Sequence, residues 1–546
     1  MLNVVKKEYF IFTVIIFYFC FSLNHIINGG IFYDDWSLTV GYLSELSFKD
    51  KFNDLVFKTF LTRPVGGFYL TFLTELNKLD FLYIFINSTL WLVSSIIICN
   101  SFKNYLSKKS RNIILILLLF PSFASTMIFS PVTQTLGVLS IFFWSISIFY
   151  AEKQKKMLSY LFFIISVLTY EVSVVLLFFN IFFLSTKNQN YLIKNISKLL
   201  FFFVFIVVGI IIFQMILSKI TGYSASLKYG FWFDNNQLIF EEDFFKNIKK
   251  YFFKPIILIV YDIPNLLIKS IMFIKFNMYS IFVLLAFFWI IFLNISLKEK
   301  HNKLSKKISN TLFLTILSST ISVFFVYLIV TSVPQVNGYY NRGLVGLFIC
   351  SCIFLGFINN LNFKNKIYNN IKLLLISLFL ILNFNSFLVQ QINHVNAEDK
   401  RDELLEKVSN FYNKKKNENT ENRYQPIYLM ITPTHLKENY NDEVIFSEEV
   451  EDLYFAVNYV TNKNVLAKRI FYDRKCSKII NIENNSITGF ITSRNRKYAD
   501  KVKTTFYEFS LKDRDIYLYH NSNFTKLTYN NFQNEKILMS KVKCLL

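Results

Sequence analysis

Runs of about 20 apolar residues recur along this chain, and nothing else limits its fold so tightly. "YFIFTVIIFYFCFSLNHII", "FLYIFINSTLWLVSSIIICNSF" and "MYSIFVLLAFFWIIFLNISL" hold no Asp, Glu, Lys or Arg. As a helix, each is long enough to cross roughly 30 Å of hydrocarbon. Hydrophobic residues make up 53% of the 546 positions, far from the makeup of a soluble multidomain chain. The fold class expected is an α-helical polytopic membrane protein.

The formal net charge of +22 raises nucleic acid as a partner. The placement of the lysines excludes it. They gather in short segments between apolar runs, and no nucleic-acid recognition motif accompanies them. Basic short loops mark the cytoplasmic side, so the charge serves to orient the helices. Lys6 and Lys7 keep the N-terminus inside. The first run is too long for a signal peptide and is expected to stay as a helix.

Spans are expected near Tyr9–Ile27, Phe81–Phe102, Asn112–Phe129, Val132–Tyr150, Leu199–Ser218, Met278–Leu297, Thr311–Val330, Leu344–Ile358 and Leu373–Gln391. Met157–Ser185 has basic loops on both sides and is expected as two short helices meeting near "LTYEVS". Half-length segments require backbone groups satisfied by protein or by a water-filled cavity. This gives about eleven crossings. A long first external loop (28–80) is expected to hold interfacial helices, and a second (219–277) an interfacial or re-entrant one. Residues 1–391 form the transmembrane domain. Residues 392–546, with short apolar runs such as "PIYLMITP" between turns, are expected as a small α/β extracytoplasmic domain.

This topology collects ionisable groups on the external face: Asp34 and Asp35 in "YDDWS", Arg63 in "LTRPVGG", Glu171 in "TYEVS", and Arg342 in "NGYYNRG". A carboxylate there can take a proton from an acceptor hydroxyl. An arginine can hold a phosphate by paired hydrogen bonds. Each residue also has a plainer reading. The acids can be a helix cap. Tyr33 and Trp36 can belong to an interfacial aromatic belt. Arg63 can anchor a loop, Arg342 can snorkel, and Glu171 can sit in a structural ion pair. Gly29–Gly30 and Gly66–Gly67 are read as turns.

An acidic pair soon after the first membrane helix, followed by "TRPVGGFYL", resembles the GT-C-type integral-membrane glycosyltransferases. "LTYEVSVVLL" and "GYYNRGLVG" are similar to later segments of such enzymes, including bacterial O-antigen glucosyltransferases. The resemblance spans residues 1–391. It implies transfer of a sugar from a polyprenyl-phosphate carrier to a cell-surface glycan or lipid acceptor. The reaction would occur at the outer face of a bacterial inner membrane. It further implies Asp34 or Asp35 as general base, with Arg342 and Arg63 at the donor phosphate. Glu171, Tyr170, Trp36 and Tyr340 would contact substrate. Some members use a divalent metal at the acidic motif. One acidic cluster without D-x-D argues against a metal here but leaves a divalent ion possible, and no other cofactor is implied. The alternatives are a transporter or flippase for a lipid-linked saccharide, and an O-antigen polymerase or ligase. No internal repeat of the transporter kind is visible.

Six cysteines are present. None has zinc-site spacing. Cys476 and Cys544 are open to pairing if their domain is extracytoplasmic.

Overall fold

In the computed structural model, the residues described are 2–30, 46–60, 63–75, 80–129, 135–185, 231–234, 237–240, 253–274, 277–296, 306–330, 336, 341, 343–363, 365–418, 427–431, 465–469, 480–483, 486–491, 505–510, 516–520 and 523–526, with 205, 209, 212, 216, 456, 457, 460 and 461. Two compact units divide the chain: Met1–Ile31 with Leu46–Val395, and Phe32–Glu45 with Asn396–Leu546.

The first unit is a helical bundle. In chain order its elements are α1 (Leu2–Asn28), α2 (Phe48–Asp54), a π-turn (Leu55–Thr59), α3 (Pro64–Glu75), α4 (Asp80–Ser101), α5 (Lys108–Leu119), α6 (Thr126–Phe129), α7 (Thr135–Glu152), α8 (Lys156–Thr169), a 3-10 segment (Glu171–Leu176) and α9 (Leu177–Ser185). An antiparallel pair, β1 (Phe231–Asp234) and β2 (Gln237–Phe240), follows. Then come α10 (Ile263–Phe273), α11 (Met278–Ser296), α12 (Lys306–Val330), α13 (Val345–Asn360) and α14 (Lys366–Glu418).

Six described helices are long and apolar enough to cross a membrane: Tyr9–Asn28, Phe81–Ser101, Thr135–Glu152, Phe253–Phe273, Met278–Ser296 and the one starting at Lys366. Lys156–Thr169, Glu171–Ser185, Ile308–Phe324 and Val345–Asn360 are shorter apolar helices. This is an α-helical, multi-pass membrane protein.

Three elements differ from expectation. Phe253–Phe273, expected inside an external loop, is one long apolar helix. A π-turn over Leu258–Asp262 precedes Pro264, which lacks the N–H a regular helix would use there. The span expected over Asn112–Phe129 is broken instead. Phe120 leaves the helix (φ −124°, ψ 74°) because Pro121 disfavours helical geometry in the residue before it. Every residue from Asn112 to Phe129 is nevertheless buried. Finally, α14 passes through the expected end at Gln391 and continues to Glu418.

The break after α5 needs partners for its freed backbone groups, since no lipid can supply them. Amide side chains meet that need. Asn383 Nδ2 donates to Phe120 O (2.7 Å), and Gln390 Nε2 donates to Ser122 O (2.6 Å). Asn341 Oδ1 accepts from Thr126 N (3.1 Å), the first residue of α6. Beside these amides lies an aromatic cluster. Phe120 packs edge-on to Phe384 at 4.8 Å, and Phe384 stacks on Phe287 at 3.9 Å. Such pairs fill the space between α5, α11 and α14 with directional contacts.

The two ends of the bundle differ in charge. At one end Lys109 donates to Ile295 O (2.7 Å), Lys372 to Asn359 O (3.0 Å), and Asn104 to Glu152 (2.7 Å). Lys103, Lys108, Lys153, Lys155 and Lys156 sit in the same connections. The opposite end holds the finish of α1, the starts of α3, α7 and α13, and the junction between α8 and the 3-10 segment.

The second unit contains the last part of α14 and seven short strands. Strands β3 (Ile427–Ile431), β4 (Val465–Arg469), β8 (Ile516–His520) and β9 (Asn523–Lys526) form one sheet in the order β4-β3-β8-β9. Its β3–β4 and β3–β8 pairings are parallel. Strands β5 (Ile480–Glu483), β6 (Ser486–Ile491) and β7 (Thr505–Ser510) form an antiparallel sheet.

Candidate functional site

The chain turns back on itself at Tyr170. Its backbone is extended there (φ −161°, ψ 129°), between the end of α8 and the 3-10 segment. Both halves run along α7. Near the apex, Ser140 Oγ donates to Tyr170 O (2.8 Å), while Ser166 Oγ donates to Ser140 O (2.6 Å) and lies 2.7 Å from Ser173 Oγ. Deeper, Trp144 Nε1 donates to Asn180 Oδ1 (3.1 Å), and Asn180 Nδ2 donates to Ser159 Oγ (3.1 Å). At the far end Gln154 Nε2, between α7 and α8, donates to Phe183 O on α9 (2.7 Å). The start of α8 and the end of α9 therefore lie at the same basic end. The apex lies at the other.

Glu171 begins the returning half and meets Arg63, 108 positions earlier. Arg63 Nε donates to Glu171 Oε2 (2.6 Å), and Nη2 donates to Oε1. The guanidinium carbon lies 4.2 Å from the centre of the Tyr170 ring. Side-chain exposures are 13% for Arg63 and 24% for Glu171, so both charges are largely shielded from water. A two-pronged pair under an aromatic face fixes the guanidinium in plane and position.

The local sequence explains the aim of Arg63. It precedes Pro64, the first residue of α3, and proline keeps its predecessor out of the helix. Arg63 O still accepts the first helical bond, from Gly67 N (2.9 Å). Gly66 and Gly67, read from sequence as a turn, are helical. A Cβ on Gly66 would lie 2.8 Å from Thr169 O, and one on Gly67 would lie 2.7 Å from Leu55 O. The pair lets α3 press against the end of α8 on one side and the π-turn on the other.

The start of α13 joins the same place. A Cβ on Gly346 would lie 2.7 Å from Val175 Cγ2, so α13 packs closely on the 3-10 segment that Glu171 begins. Of the residues expected to form the site, Arg63, Tyr170 and Glu171 are brought together. Asp34, Asp35, Trp36, Tyr340 and Arg342 lie outside the described residues, as do Cys476 and Cys544. Among the described residues no three His, Cys, Asp or Glu side chains cluster as metal ligands.

Two groups at this end escaped sequence reasoning. Asn341 Nδ2 donates to Ser125 Oγ (3.1 Å), Ser125 Oγ to Gln390 Oε1, and Gln390 Nε2 to Ser386 Oγ (3.1 Å) as well as Ser122 O. His25 and His394 both pack edge-on to Phe129, at 4.7 and 4.6 Å. His25 is buried, and neither ring nitrogen has a hydrogen-bond partner among the described residues. A signal was present: Asn383, Ser386, Gln390 and His394 recur every three or four residues, one stripe of a helix.

No protein-family model matches this chain, and neither a curated protein nor a solved structure matches it.

Proposed function

We propose that this protein is a membrane glycosyltransferase of the GT-C type, with an inverting mechanism. The donor is a sugar on a polyprenyl-phosphate carrier, and the acceptor is a cell-surface glycan or lipid. Asp34 or Asp35 takes the proton of the acceptor hydroxyl as it attacks the anomeric carbon. The lipid phosphate departs and is held by Arg342, while Tyr170, Trp36 and Tyr340 contact the substrates. The membrane is the bacterial inner membrane, the N-terminus is cytoplasmic, and residues 392–546 form an extracytoplasmic α/β domain.

One observation carries this reading. The shielded Arg63–Glu171–Tyr170 group sits at the end of the bundle opposite the lysines, where the helix following Arg342 packs on the segment that Glu171 begins. Ionisable groups held inside a membrane protein are costly and mark functional sites. Within this group the bidentate bond gives Arg63 a share in positioning Glu171, beyond the phosphate contact implied by the family resemblance.

The test is genetic. Deleting the gene is expected to remove one sugar from a surface glycan, with parent protein restoring it. Asp34→Asn or Asp35→Asn is expected to cut transfer by about 100-fold or more while the protein still inserts. Full restoration by both variants would end this assignment. The topology is checked separately. A reporter fused after Gln391 is expected to read extracytoplasmic, and a cytoplasmic signal reverses it.

The broken helix between α5 and α6 favours a second reading, a flippase for a lipid-linked saccharide, because transporters often build sites at helix breaks. Purified protein that moves such a lipid across vesicle membranes with no acceptor present would select it.

A further inference from the structure

The face that α2, the π-turn and α3 turn outward is aromatic. Phe57 lies edge-on to Phe52 (5.9 Å), Phe52 to Phe68 (6.1 Å), Phe68 to Phe72 (4.9 Å) and Phe72 to Phe48 (5.3 Å). The five rings form one unbroken patch. Phe68 and Phe72 are 49% and 50% exposed, and Phe48 and Phe57 are exposed as well. The small and polar residues of α3 face the other way. Gly66, Gly67, Thr71 and Thr74 are buried. The threonine hydroxyls donate back along the helix, Thr71 to Gly67 O (2.9 Å) and Thr74 to Thr71 O (3.1 Å). Lys51 on α2 is buried too, and its ammonium donates to Glu75 (2.7 Å). A helix facing water shows the reverse order, with apolar residues inward and polar ones outward. Small and hydroxyl residues inward, with large apolar ones outward, is the order of a helix facing lipid.

Length and packing set the depth. The 12 residues of α3 make a helix about 18 Å long, too short for roughly 30 Å of hydrocarbon. Through Gly66 it packs on Thr169, the last residue of α8, at the end of the bundle opposite the lysines. Helix α8 has exposed apolar side chains of its own, Leu161 and Ile164 among them, and α4, which follows α3, begins with the exposed Phe81. The patch therefore continues an apolar outer surface. We propose that it is a membrane anchor, seated in bilayer lipid at the hydrocarbon edge and holding the Arg63 link at that depth. Arg63 N donates to Phe60 O (2.7 Å), which ties this link to the end of the π-turn.

The test uses the full chain in phosphatidylcholine nanodiscs. The probes are phosphatidylcholines carrying a photoreactive diazirine either beside the glycerol or at the chain end, and a water-soluble carbene precursor. Labelled peptides are mapped by mass spectrometry. The glycerol-side probe is expected to label residues 48–57 and 64–75. The chain-end probe is expected to label the exposed Leu285 and Phe288, midway along α11, in preference to the patch. Phe68→Ser with Phe72→Ser is expected to cut lipid labelling of 64–75 about threefold or more, with α11 labelled as in the parent. Phe72→Leu keeps an apolar side chain and is expected to match the parent. Labelling of the patch by the water-soluble precursor alone would show it wet and overturn the anchor. Labelling by no reagent would mean that a second copy of the chain covers it, which also overturns it. Chain-end labelling as strong as that of α11 overturns the placement at the edge. Unchanged lipid labelling in the double serine variant shows that packing alone holds the hairpin there, and the rings are then no anchor.

Discussion

Arg63→Ala is expected to destabilise the bundle by about 3 kcal/mol and, on the proposed function, to abolish sugar transfer. The alanine strips Glu171 of its bidentate partner, and at 24% exposure water restores only part of that loss. Both partners are less than one-third exposed, so the screening that makes surface pairs nearly worthless applies weakly here. Tyr170→Leu removes the ring face along with the phenol hydroxyl and is expected to cost about 1 kcal/mol. A double replacement separates anchoring from function. Arg63→Met with Glu171→Met removes both charges of the pair together, and such swaps commonly return most of the stability. The double variant is therefore expected to melt near the parent and still fail to restore the glycan. If it restores transfer fully, the pair is a structural anchor and Glu171 has no part in substrate binding. Thermal melting in detergent and complementation of the deletion strain supply the two readings.

The hairpin that presents Glu171 was legible from charge placement. Basic segments at both ends of Met157–Ser185 required an even number of crossings, and the return at Tyr170 answers that requirement. The partner of Glu171 was not legible. Arg63 lies 108 positions away, and no local pattern links them. The long α14 shows another kind of loss. Composition turns polar after Gln391, and by composition alone the helix ends there. Yet Ala397, Arg401, Leu404, Leu405, Val408 and Tyr412 are buried at helical spacing, so the period continues where the composition changes. Composition records what surrounds a segment, whereas period records its backbone. The break at Phe120 was written in Pro121, but an unbroken apolar run masked it. The amides that repair the break come from residues about 260 positions later, which no window along the sequence can connect.

The two glycines of "RPVGG" supply the second large effect, and its sign is decided by competing terms. Glycine inside a helix ordinarily costs about 1 kcal/mol relative to alanine, so Gly→Ala should stabilise α3 by that amount. Here the added Cβ meets backbone: Thr169 O at 2.8 Å from position 66, and Leu55 O at 2.7 Å and Val56 Cα at 3.1 Å from position 67. Backbone cannot rotate away as a side-chain tip can, and overpacking of this kind costs about 1–3 kcal/mol. Gly66→Ala and Gly67→Ala are each expected to lower the melting temperature, and leucine at either position is expected to lower it further. Gly66→Leu is also expected to abolish transfer, because it forces α3 from the end of α8 only three residues after Arg63. Gly137→Ala is the contrast. Its Cβ would meet Met127 Cε at 2.9 Å, the far end of a flexible side chain in an otherwise regular helix. Methionine can yield, so the propensity gain should survive and the melting temperature should hold or rise. If Gly66→Ala also melts at or above the parent temperature, α3 does not press on Thr169, and the placing of Arg63 against Glu171 loses its structural basis.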